Sequence, residues 1–106
     1  MQNEPVIAAD QCQTMGEVRA GVDALDRELM LLLARRFGYM RAAARIKADR
    51  DMVRDEARKA EVIANVRAEA VGLGLPEELV AGLWERLVEA SIAYELDTFD
   101  DIRKRG

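Results

Sequence analysis

Arg36, Lys47, Asp55, Arg58, Ser91 and Glu95 stand where the surrounding sequence pattern asks for apolar residues. Arg36 falls in the register Val22, Leu29, Arg36, Ala43, seven apart throughout. Lys47 follows Arg36 by eleven positions, close to three whole helical turns, so the two cations share a helix face. Asp55 and Arg58 precede Val62 and Val66 at three- and four-residue steps, and Ser91 and Glu95 continue the stripe of Trp84, Leu87 and Val88. Charge turned inward is costly unless it is paired. Two completions are open: the groups pair with one another, Arg36 with Glu95 for example, or a charged ligand completes them. Cations outnumber acids in the set, so such a ligand would be an anion. Arginine suits that task, because its planar fork matches a carboxylate. The chain carries thirteen Arg against three Lys, most of them in ordinary surface positions.

The rest of the composition narrows the chemistry by exclusion. There is no His, which removes Ser-His-Asp and Cys-His catalysis and the usual zinc sites. No EF-hand spacing is present, so no metal and no cofactor is expected. Cys12 is alone and cannot form an intramolecular disulfide. A net charge of −4 leaves no basic excess for general nucleic-acid binding. Met1 to Gln13 lacks a signal-peptide pattern and no apolar run approaches membrane-spanning length, so a cytoplasmic protein without membrane association is expected.

The elements that must position these residues read as helices. Ala, Leu, Val, Arg and Glu dominate, aromatics are 5% of the chain, and there are two prolines. Residues 1–13 have no period and read as a flexible N-terminal tail, leaving one domain over 14–106. Thr14-Met15-Gly16-Glu17 matches a capping box. The helix it opens is expected to run to about Ala48, with Val18, Val22, Leu25, Leu29, Leu32, Tyr39, Ala43 and Ile46 on its stripe. A helix of roughly 35 residues is about 50 Å long, whereas a small domain is about 30 Å across. A second copy of the chain is the simplest cover for the excess, so a homodimer is expected. A short charged connection, Ala48 to Val53, leads to a second helix from about Arg54 to Val71, with Val62, Val66 and Ala70 inward. Gly72-Leu73-Gly74 ends it, and Leu75-Pro76-Glu77-Glu78 starts a third helix reaching about Ile102. That third helix carries Leu79, Val80, Leu83, Trp84, Leu87, Val88 and Ile92. The expected fold is all-α: a three-helix chain with a long first helix.

This pattern resembles the AroQ-type chorismate mutase family, over about residues 14–100. The residues that carry the resemblance are Arg19 in Val-Arg-Ala-Gly-Val-Asp-Ala-Leu-Asp, Arg36 in Leu-Leu-Ala-Arg-Arg-Phe and Lys47 in Ala-Ala-Arg-Ile-Lys. Asp55 and Arg58 in Val-Arg-Asp-Glu-Ala-Arg continue the series. The resemblance implies an intertwined homodimer of three-helix chains that rearranges chorismate to prephenate. It implies that Arg36 and Arg58 bind substrate carboxylates and that Arg19 reaches in from the partner chain. Lys47 would hydrogen-bond the ether oxygen and a carboxylate, Asp55 would accept from the ring hydroxyl, and Ser91 would contact a carboxylate. Two positions depart from the family's common pattern. Lys59 stands where Glu is frequent, which removes a ring-hydroxyl contact. Glu95 stands where Gln is frequent, and a carboxyl group donates a hydrogen bond only when protonated. Activity is therefore expected to fall as pH rises.

Two other readings use the same residues. Isochorismate pyruvate lyase, a salicylate-forming branch on the same scaffold, matches the short link between Lys47 and Arg58, but Asp55 would be misplaced for the isochorismate hydroxyl. A non-catalytic helical dimer serving as a regulatory module would leave the inward Arg19, Arg36, Lys47 and Arg58 without a purpose.

Overall fold

The computed structural model describes residues 6–105, and the secondary structure among them is entirely helical. Helix α1 spans Met15–Ile46, α2 spans Glu56–Leu73 and α3 spans Glu77–Arg105, with 3₁₀ turns at Ala9–Gln11 and Arg50–Met52. None of these helices is long and apolar enough to cross a membrane. The chain divides into two compact units, one ending at Phe37 and the other beginning at Gly38.

In the first unit the capping box forms as its residue types dictate. The Glu17 amide donates to Thr14 Oγ1 at 3.1 Å, and Glu17 Oε1 accepts from the amides of Thr14 and Gln13 at 3.1 and 2.7 Å. Those two amides, Gln13 first, hold the Glu17 carboxyl below its usual range. Residues 1–5 of the expected tail lie outside the described residues. Residues 6–13 carry the Ala9–Gln11 turn, and Val6, Ile7 and Cys12 from this stretch line an apolar cleft of about 340 Å³ with Val18, Val22 and Leu25. The stripe of α1 is open in this unit, where Val22, Leu25, Leu29 and Leu32 are each at least half exposed; in the second unit Tyr39 and Ile46 are more exposed still.

In the second unit α2 and α3 form a hairpin. Lys59 bridges Glu85 and Glu89 while Arg67 bridges Glu77 and Glu78, so later residues of α2 meet earlier residues of α3 and the helices run antiparallel. The turn between them closes on Gly74, whose φ of 72° is the left-handed conformation that glycine adopts without steric cost. Its amide donates to Val71 O at 3.2 Å and the Leu75 amide to Ala70 O at 2.8 Å, the paired closure of a Schellman motif. Gly72 lies inside the helix rather than at its end, which carries α2 two residues beyond the expected Val71. At the other end Asp55 is the N-cap and accepts from the Arg58 amide at 3.0 Å, so the helix starts later than Arg54.

The core of this unit is thin. Ala44, Val53 and Phe99 are buried together, with Ile92, Leu96 and Ile102 packed against them. Ala70, Ala81 and Val88 continue the buried seam, and among the described residues no large side chain is fully enclosed.

Candidate active site

Lys47 is the first residue after α1, and its placement is set from α3. Buried residues of α3 recur at Val88, Ser91, Glu95 and Phe99, steps of three and four that define one inward face. Two of the four are polar. Ser91 is satisfied within its helix, its Oγ donating to Leu87 O at 2.6 Å. Glu95 is only 4% exposed, and its Oε2 accepts from Lys47 Nζ at 2.7 Å. A carboxylate buried that far is tolerable because the ammonium compensates it. Lysine has three donors on that nitrogen, and Glu95 takes one.

The connection after Lys47 is pinned to the same helix. Arg50 forks onto Asp100, with Nε to Oδ1 at 2.9 Å and an Nη to Oδ2 at 3.2 Å. This pair raises the Arg50 guanidinium and lowers the Asp100 carboxyl. Val53 enters the core beside Phe99. Arg54 forks onto Glu89, at 2.7 and 3.1 Å, and also reaches Glu56 at 2.8 Å.

Lys59, where the sequence departs from the common pattern of the resembled family, has a structural reason. Its side chain is largely covered and lies 2.5 Å from Glu85 and 2.7 Å from Glu89, which raises its ammonium. The Glu89 carboxyl, held by Arg54 and then Lys59, drops to about 2. A lysine here therefore clamps α2 to α3. The adjoining groove of about 450 Å³, lined by Glu56, Lys59, Ile63, Arg67 and Glu85, borders this clamp and not the Lys47–Glu95 pair.

The other candidates sit as follows. Asp55 and Arg58 face solvent at the start of α2; Asp55 caps the helix, and the Arg58 guanidinium pairs with Glu61 one turn on at 2.5 Å. In the first unit, Arg19 is exposed on the second turn of α1. Arg36 is half-buried, and burial pushes its guanidinium below the usual range while leaving it cationic. Within one chain, then, the contacts join Lys47 to Glu95, whereas Asp55 and Arg58 make local bonds.

Three hydrogen bonds in this region, each across more than fifty residues, are not signalled by any sequence spacing. Arg41 donates to the Tyr94 hydroxyl at 2.9 Å. Arg103 donates from one nitrogen to Ala44 O at 2.8 Å and from the other to Lys47 O at 2.5 Å. Its guanidinium also lies over the Phe99 ring, 3.7 Å from the centroid. Pairs separated by more than fifty residues leave no periodic trace; only the excess of arginine hinted at them.

Comparison with known proteins gives two findings. Residues 18–96 match the family described as chorismate mutase type II. Over 87 residues the chain is 26% identical to an isochorismate pyruvate lyase from Pseudomonas aeruginosa, covering 82% of this chain and 86% of the relative.

Proposed function

From the chain's membership of the chorismate mutase type II family, we propose that it is a chorismate mutase, rearranging chorismate to prephenate as a homodimer. The observation that carries this reading is Lys47, a cation fixed at a helix end by a buried carboxylate 2.7 Å away. The reaction is unimolecular and pericyclic, so it asks for no nucleophile. It asks for the extended dianion to be held in its compact reactive conformer, and Arg36, Arg58 and Ser91 are assigned to its carboxylates. Negative charge then grows on the ether oxygen as the carbon–oxygen bond breaks. Lys47 attracts that oxygen more strongly in the transition state than in the ground state, which is the condition for raising the rate. Asp55 is assigned to the ring hydroxyl, and capping α2 holds its carboxylate in place.

The pair has two useful states. With Glu95 ionised, one Lys47 donor is spent on it. With Glu95 protonated, the carboxyl adds a donor of its own toward the ether oxygen. Glu95→Gln, whose amide donates without having to be protonated, is therefore expected to keep or raise kcat for chorismate. A Glu95→Gln chain slower than wild type would remove position 95 from this donor role.

The open apolar stripe of α1 and the thin core support the dimer, since exposed apolar surface on this scale marks an interface. Arg19 is assigned to the partner's site. Chains carrying Arg19→Ala and chains carrying Lys47→Met should each be inactive. Mixed and allowed to exchange, they should recover about a quarter of wild-type activity, because half the dimers would be hybrids with one intact site each. No recovery despite exchange would place Arg19 outside the site.

The second reading, elimination of pyruvate from isochorismate, is favoured by the lyase relative. It too breaks a carbon–oxygen bond with negative charge growing on an ether oxygen, and could use the same cations. Offering chorismate and isochorismate separately to the purified chain, and identifying the products, decides between them. Prephenate from chorismate is the expected result. Salicylate and pyruvate from isochorismate, with chorismate untouched, would replace it.

A further inference from the structure

We infer that Arg103 is a positioning residue for Lys47, acting through the backbone at the end of α1; this rests on the reading of Lys47 as the substrate-facing cation. A helix leaves its last carbonyls without partners. Glycine in the left-handed conformation commonly closes such an end, but no glycine occurs between Gly38 and Gly72, and among the described residues only Gly74 has a positive φ. At the end of α1 the closure comes instead from α3. The Arg103 fork takes Ala44 O and Lys47 O together, at 2.8 and 2.5 Å, and so fixes two carbonyls one turn apart.

Arg103 is itself held. Its guanidinium stacks on Phe99, which is buried with Ala44 and Val53 in the core of the unit. Lys47 is thereby gripped twice by one helix: its ammonium by Glu95, its carbonyl by Arg103, eight residues further along α3. With only the Glu95 contact, the backbone at Lys47 could shift and carry the ammonium with it. With both, the side chain spans between two fixed points. A shift of about 1 Å at a reacting group costs up to about a hundredfold in rate, so the second grip bears on turnover rather than on binding alone. Arg103 lies beyond the residues that match the family, 18–96, so the family resemblance does not assign it.

The test compares Arg103→Lys, Arg103→Met and Arg50→Met with wild type. Arg50 pins the same connection to Asp100 without touching Lys47, so its loss reports a purely structural effect. Arg103→Met is expected to lower kcat about tenfold or more with KM changed less than about threefold. Arg103→Lys should recover part of that loss, since an ammonium can reach one carbonyl but cannot fork onto two. Arg50→Met should lower the melting temperature and leave kcat as it is. An Arg103→Met chain with wild-type kcat, or an equal kcat loss in Arg50→Met, overturns the proposal.

A second measurement is independent of the reaction. The coupling of Lys47 with Glu95 is read from urea unfolding of Lys47→Met, Glu95→Gln and the double variant, in chains with Arg103 and with Arg103→Met. The coupling should be at least about threefold smaller, as a ratio of equilibrium constants, without Arg103. Equal coupling in both backgrounds overturns the positioning role. A chain that turns over neither chorismate nor isochorismate yet shows the Arg103-dependent coupling overturns only the proposed function.

Discussion

At the end of α2, Gly74 turns into the left-handed conformation and two adjacent amides close the last carbonyls, so the junction with α3 is complete within six residues. At the end of α1, no glycine follows, and the junction with α2 is closed by side chains from the far end of the sequence. Glu95 holds the Lys47 ammonium, Asp100 holds Arg50, and Arg103 holds the carbonyls of Ala44 and Lys47. A junction closed by its own backbone needs no residue from a distant part of the chain to close its carbonyls. A junction closed from a distance puts its residues under the control of another helix, and Lys47, the cation assigned to the reacting oxygen, stands at the second kind.

The contrast is sharpened first by Lys47→Met, which keeps the stem and removes the charge. Its kcat for chorismate should fall about a hundred- to a thousandfold, the scale for losing one donor to a developing oxyanion. At the other junction, Gly74→Ala meets no atom within 4 Å, so its cost is confined to the φ of 72°. Urea unfolding should show a loss of about 1–2 kcal/mol, with kcat and KM unchanged. A change in kcat there would break the separation between the two junctions. Gly72→Ala, helical and also in open space, should raise stability by about 0.5–1 kcal/mol in the same assay.

The smallest effect concerns the exposed clamp between the hairpin helices. Arg54 and then Lys59 lower the Glu89 carboxyl from an ordinary value of 4.5 to about 2 in the folded chain. The stabilisation it contributes is present above the unfolded value and is lost as pH falls toward the folded one. The stability difference between wild type and Glu89→Gln, followed by urea midpoint, should therefore shrink between these two pH values and stay constant above them. Solvent screening keeps it modest.

What could be read from the sequence follows the same division. The capping box at Thr14–Glu17 and the glycine closure of α2 are local devices, and both form as their residue types predict. The three-helix order and the inward face of α3 followed from periodicity, and Glu95 and Ser91 are buried on it. Helix ends moved by one to three residues where a side chain decided them, as Asp55 does for α2. The partners of the charges were not legible. Lys59 looked like a missing substrate contact and is a clamp to Glu85 and Glu89; Arg103 carried no pattern at all. Sequence spacing reports which face a residue takes on its own helix, whereas a contact across fifty residues depends on how two helices pack.

The rate and product of chorismate turnover, compared between the wild-type chain and Lys47→Met under identical conditions, test most directly whether the cation held by α3 performs the chemistry. Wild type should form prephenate, and Lys47→Met should be slower by about a hundredfold or more. A wild type that leaves chorismate intact, or a Lys47→Met chain that matches its rate, would contradict the assignment of Lys47 to the reacting oxygen.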